Sequence, residues 1–307
     1  MRTTLQIMRP FFQVVGALIL VGVMNSAVAQ DVSIPDSGLD AAIREALQKP
    51  RGPLTAQDLL RLTNLNACCR SISSVAGIET ARNLISLDLS KNSLADFTLP
   101  LGLTNLARLL LGGNQLTNLT LPAELTHLAF LDLSGNRLTS PSTLPPGLTN
   151  LVELDLSANQ LSTFTFPSGL TNLSELDLSG NQLSTLTLPP DVMQLTNLDL
   201  TLNPLTILAL SEPLASVNLA ETVASLRDQG VFVSTYPLTS QLISPRRTED
   251  GEFTFAVIGP PGVYAVLGSV DFSTWSELGA LTNDFGVARF GDTGAALSPH
   301  KFYRVRH

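Results

Sequence analysis

Five aspartates, Asp88, Asp132, Asp155, Asp177 and Asp199, each stand between two leucines, and Glu153 and Glu175 precede two of them by two residues. Carboxylates in such a series have three chemical uses. Two of them flanking a bond could divide acid and base work in a hydrolase. Several together could hold calcium through their oxygens. A row of them could also receive a basic partner. Hydrolysis needs a nucleophile beside a base, or two carboxylates in a cleft that excludes water. No G-x-S-x-G, H-E-x-x-H or glycine-rich phosphate loop accompanies these acids. Three histidines (His127, His300, His307) and two adjacent cysteines (Cys68, Cys69) leave little for metal ligation or nucleophilic attack. His127 reads as a surface residue rather than a base. The chain is read as non-enzymatic, with no catalytic residue, no cofactor and no metal site assigned.

These acids are placed by a repeat. The phrase Leu84-Ile-Ser-Leu87-Asp-Leu89-Ser-Lys-Asn92-Ser-Leu94 begins again at Leu106, Leu128, Leu151, Leu173 and Leu195. The spacing is 22 residues in every step except the 23 between Leu128 and Leu151. Self-similarity at that period marks a solenoid. Leu87 and Leu89 alternate with polar residues, the period of a short strand with one buried face. Asn92, Asn114, Asn136, Asn159, Asn181 and Asn203 follow each strand. An amide there has donors and an acceptor for turn backbone groups that no ladder satisfies. One coil cannot bury its own apolar face, so stacking is obligatory.

The pattern L-x-x-L-x-L-x-x-N-x-L resembles that of the leucine-rich repeat superfamily. The resemblance implies a solenoid with a concave parallel β-sheet of seven or eight strands, roughly 35 Å long at ~4.8 Å per strand. The return segments Phe97-Thr-Leu99-Pro100, Leu119-Thr-Leu121-Pro122 and Leu186-Thr-Leu188-Pro189 alternate and end in proline, predicting a mainly extended convex side. The extra residue of the long period falls in Ser140-Pro-Ser-Thr-Leu-Pro-Pro146, a loop insertion. Residues 30–61 form an N-terminal helical cap, with Leu39, Ile43, Ala46 and Leu47 at helical spacing and Pro50 as stop. The run from Ile34 to Leu60 resembles the N-terminal cap of internalin-like bacterial repeat proteins.

A degenerate first coil carries Arg70 at the asparagine position, and Cys68-Cys69 within it reads either as two small apolar residues or as a redox-sensitive pair. The last coil keeps the strand rhythm in Leu214, Val217 and Leu219, followed by a helical run to Gln229 and an extended Val231-Phe-Val233. The solenoid with its C-terminal cap occupies residues 62–237, with a linker at 238–246. Residues 247–307 predict a small antiparallel β-domain with strands at 253–258, 263–267, 275–281, 286–290 and 301–305. Its phrases Gly268-Ser-Val-Asp271-Phe-Ser-Thr-Trp275 and Phe302-Tyr-Arg-Val305 resemble a C-terminal β-module common in exported bacterial proteins.

The N-terminus predicts export. Arg2 and Arg9 precede an apolar run at 11–24, and Ala27-Val28-Ala29 offers a cleavage site for a signal peptide of residues 1–29. An uncleaved anchor is the alternative. The net charge of −8 argues against nucleic acid. Secreted, cell-surface and periplasmic locations all fit. On the concave face Asp88, Leu110, Asp132, Asp155, Asp177 and Asp199 form one column. Arg108, Phe130, Glu153, Glu175 and Asn197 stand in the column before it, and Ser90, Gly112, Ser134, Ser157, Ser179 and Thr201 in the column after. The face is read as the docking site of a protein partner or a cell-surface glycan on a monomeric chain. Two other readings stay open, a solvated structural ladder and a chain held to the envelope by its β-domain.

Overall fold

The computed structural model describes residues 31–139, 144–297 and 300–307. Residues 1–30, where a signal peptide is expected, and Ser140 to Thr143 of the insertion lie outside the described residues. Seven strands form one parallel sheet in chain order: Asn64–Asn66, Ser86–Asp88, Arg108–Leu110, Phe130–Asp132, Glu153–Asp155, Glu175–Asp177 and Asn197–Asp199. Coils 1 to 7 are numbered from these strands. Their middle leucines stand in register from Leu65 through Leu87, Leu109, Leu131, Leu154 and Leu176 to Leu198. All seven are buried in one continuous apolar core with the leucines of the turns and returns.

The asparagines knit the coils together. Asn136 Nδ2 donates to Leu133 O of its own coil at 3.0 Å and to Leu111 O of the preceding coil at 3.1 Å. Its Oδ1 accepts from Leu116 N at 3.0 Å. Asn92, Asn114, Asn159, Asn181 and Asn203 bridge neighbouring coils in the same way. Leu89, Leu111, Leu133, Leu156 and Leu178 each therefore accept from two asparagines. Buried polar groups are thus paired along the whole stack.

The convex side is extended where the sequence alternates. Asp96–Thr98 pairs parallel with Asn118–Thr120, and Thr185–Thr187, Ile207–Ser211 and Phe232–Tyr236 form a second parallel sheet. The last-coil strand does not exist. Leu214–Asn218 is a single wide helical turn and Val217 is exposed. Pro213 starts a helix here, and Leu214, Leu219, Val223 and Leu226 bury a helical rather than an alternating face. The concave sheet accordingly has seven strands. At the other end the cap helix Ser37–Leu47 buries Leu39, Ala42, Ile43 and Leu47, while Ala46 faces solvent. Asp36 caps it, accepting from Gly38 N and Leu39 N at 3.0 and 3.1 Å, and its second oxygen accepts from Ser73 N of coil 1 at 2.8 Å. Cys68 and Cys69 are joined as a disulfide, and Cys69 is exposed, so the pair does not act as two small core residues.

The C-terminal unit packs two three-stranded antiparallel sheets. Gln241–Arg247, Phe253–Ile258 and Val287–Asp292 form one. Ser276–Asn283, Gly262–Ser269 and Phe302–Arg306 form the other. Phe255, Val257, Tyr264, Val266 and Leu281 fill the space between them. Gln241–Arg247 is a strand where the sequence reads as linker. Its register shifts between Ile243 and Arg246, around Ser244 at φ 52° and Pro245, so a bulge accommodates the proline that disguised it. Contact with the coils runs through the convex sheet: Thr187 Oγ1 donates to Asp284 O at 3.2 Å, and Ser234 Oγ to Phe285 O at 2.8 Å. Buried Tyr236 donates to Leu188 O and packs on Gly286.

Candidate functional site

Each aspartate of the concave column first serves its own turn. Ser90 donates to Asp88 Oδ1 through its amide at 2.9 Å and its hydroxyl at 2.6 Å, and Ser134 does the same to Asp132 at the same distances. The amides of Ser157, Ser179 and Thr201 bind Asp155, Asp177 and Asp199 at 2.8 Å each. The carboxylate closes the chain as it leaves the strand, the local bond that Asp makes so readily. The next residue then enters the left-handed region: Cys69, Lys91, Gly113, Gly135, Ala158, Gly180 and Leu202 have φ between 52 and 69°. This recurrent geometry was invisible in the sequence because only three of the seven are glycine.

With one oxygen bound in the turn, the other faces the hollow. Asp132, Asp155 and Asp177 are half-buried neighbours in register. Burial pushes the Asp155 carboxyl above its ordinary value, and repulsion from Asp132 and Asp177 adds to this against the hydrogen bonds from Ser157. Glu153 and Glu175 pair in register beside it and are exposed. Together with Asn197 and Asp199 they line an open depression of about 180 Å³. Among the described residues no group of three or more His, Cys, Asp or Glu is placed to hold a metal ion.

The column breaks at coil 3. Leu110 stands where an aspartate would, and Arg108 lies 5.0 Å from the centre of the Phe130 ring, a cation–π contact. Gly112 replaces the serine, and a Cβ there would meet the Asp132 oxygens at 2.6 and 2.8 Å. Asp88 stays alone on the far side of this break, on coil 2. The ten residues singled out from the sequence thus divide into an Arg108–Leu110–Phe130 patch beside Asp88, and an acidic field from Asp132 through Asp199.

A second ladder was missed. Asn83, Asn105, Asn150 and Asn172 donate to Leu60 O, Arg82 O, Thr126 O and Thr149 O of the preceding coil at 2.6 to 2.9 Å. His127 takes the same place, its Nδ1 3.3 Å from Thr104 O, a contact in which a protonated Nδ1 donates to the carbonyl. The signal was present in the Thr-Asn-Leu at 104–106, 149–151 and 171–173, which opens three of the six phrases. His127 is thus an exposed structural residue.

Residues 126–170 and 149–191 match the family model described as Leucine Rich repeats (2 copies). The coils within these residues are leucine-rich repeats, and the same 22-residue period continues on either side of them. The chain is similar to solved leucine-rich repeat proteins of Listeria monocytogenes. To internalin InlF it is 23% identical, covering 66% of this chain and 69% of that one at a TM-score of 0.44. To internalin C2 it is 23% identical, covering 66% and 93% at 0.42. To the functional domain of InlJ it is 21% identical, covering 68% and 59% at 0.40. Comparison with curated protein sequences gives no match.

Proposed function

We propose that this leucine-rich repeat protein is a non-catalytic recognition module, exported from a bacterial cell, whose concave face docks a protein partner. The observation that carries the reading is the division of that face. Arg108 and Phe130 supply an arginine and an aromatic ring, the kinds of side chain on which binding energy at protein interfaces concentrates, with Leu110 as an apolar neighbour. Glu153, Asp155, Glu175, Asp177 and Asp199 supply a single-signed field that steers a basic surface toward them. Arg108, Glu153 and Glu175 are exposed, and the contacts of the β unit lie on the convex side. The two glutamates sit on an open face with no water-excluding walls, which is why acid and base work is not assigned to them.

The test is site-directed photo-crosslinking from position 130 and, as control, from the exposed convex Ala123, in extracts of the producing cells and of candidate hosts. A discrete adduct formed only from position 130, and lost in Arg108→Glu and in the Glu153→Gln/Glu175→Gln double variant, supports the reading. Equal adducts from both positions overturn it. For a partner so identified, Asp155→Asn with Asp177→Asn weakens binding, because each amide keeps its turn bond while losing its charge.

A further inference from the structure

The turn joining strands Gly262–Ser269 and Ser276–Asn283 shows large apolar side chains to solvent. Phe272 is 63% exposed and Val270 60% exposed, and the half-buried rings of Trp275 and Phe302 adjoin them. Phe272 stacks on Phe302 with ring centres 3.6 Å apart, and Trp275 meets it edge-on at 6.5 Å. Arg304 covers one face of Trp275 at 4.3 Å. Neither Phe272 nor Trp275 joins the core of the β unit.

The turn is built to hold these rings still. Asp271 Oδ1 accepts from Ser273 N and Thr274 N at 2.9 Å each and from Ser269 Oγ at 3.0 Å. Trp275 Nε1 donates to Phe272 O at 3.1 Å. Phe272 itself sits at φ 62°, where glycine or asparagine is the default and a bulky residue is an outlier. The fold therefore keeps a large apolar ring in a strained conformation and leaves it wet, at a place where a small polar residue would serve folding better.

We infer that Val270, Phe272, Trp275 and Phe302 form a saccharide-binding platform that stacks the flat C–H face of an equatorially substituted, β-linked pyranose chain. Size and the chemistry of its edge select this occupant. The exposed apolar area is on the order of 300 Å², given that aromatic side chains present about 150–250 Å² each. A stable protein interface needs about 800 Å² per partner. A pyranose has an apolar face edged by hydroxyls, and the platform is apolar and edged by exposed Ser273, Thr274 and Ser276 with Arg304 beside them. The electron-rich ring faces attract the polarised C–H groups of the sugar. This site is separate from the concave face, and either can stand without the other.

Trp275 is the single tryptophan of the chain, so its fluorescence reports on the platform alone. The full chain is titrated with cellohexaose and with chitohexaose. The expected result is a saturable change in emission with at least one of them. Phe272→Asn should weaken binding about tenfold or more while leaving Tm unchanged or higher, since asparagine accepts the left-handed conformation. Val263→Asn, an exposed site remote from the turn, should bind as the parent does. Absence of any response to both sugars, undiminished binding by Phe272→Asn, or a response only to mixed phosphatidylcholine–phosphatidylglycerol vesicles would each overturn the assignment.

Discussion

Asp155 is the residue at which the acidic hollow acts against the fold. Its carboxyl is held above the ordinary aspartate value, first by burial and then by repulsion from Asp132 and Asp177. A raised folded-state value means that ionisation is harder in the folded chain. The associated stability is complete below 3.8 and is lost as pH rises through the folded value. Asp155→Asn, whose side-chain oxygen still accepts from Ser157, should thus raise Tm at neutral pH and match the parent in acid. Asp58 has the opposite sign: Lys49 and Thr55 hold it down at about 2, so its contribution is present above 3.8 and fades as pH falls toward 2. A Tm profile of parent and Asp155→Asn across this range checks both signs. The asparagines are graded by position as well. Asn136→Ala orphans the buried Leu116 amide and strips a donor from the Leu111, Leu133 and Ser134 carbonyls, a cost of about 2–4 kcal/mol. Asn203→Ala should cost about half as much, because Asn203 is half-buried and ends the ladder. Urea unfolding of the two variants compares them. The first amide ladder was legible in the sequence because it lies inside the leucine phrase. The turn duty of the aspartates was hidden because Leu-Asp-Leu-Ser reads equally as a column of free acids.

At the scale of elements, alternation and capping were legible, whereas helix starts and bulges were not. Phe97-Thr-Leu99 and its counterparts predict extended returns, and strands form at Asp96–Thr98, Asn118–Thr120 and Thr185–Thr187. Leu214, Val217 and Leu219 fit a strand rhythm as well as a helical face, and Pro213 decides for the helix. Ser244-Pro245 broke a strand pattern that a bulge restores. The cap helix depends on Asp36, which closes its first turn and ties it to Ser73 and Ser74. Asp36→Ala should lose about 2 kcal/mol, the upper end of the range for a helix cap, since the link to coil 1 goes with it. Hydrogen exchange should then show faster opening of residues 37–47 than of coils 4 to 6.

For the whole molecule, the decisive contact is Gly286 against Tyr236. Gly286 has φ 93°, and a Cβ there would come within 2.7 Å of Tyr236 Cβ. Tyr236 ends the last convex strand, and burial pushes its hydroxyl well above the usual tyrosine value. Repeats and β unit should therefore melt together in the parent, and Gly286→Val should split the transition in calorimetry into two. A single transition in the variant would show that other contacts couple them.

Because Asn136 reaches back to Leu111 just as Asn114 reaches back to Leu89, the stack has translational symmetry. Excising one whole period, residues 107–128, would bring Leu106 against Ala129 with every later bond intact. Such a chain should fold with a hollow about 4.8 Å shorter. The protein is in that sense a ruler graduated in units of 22 residues, and evolution can retune its span by copying or dropping a notch.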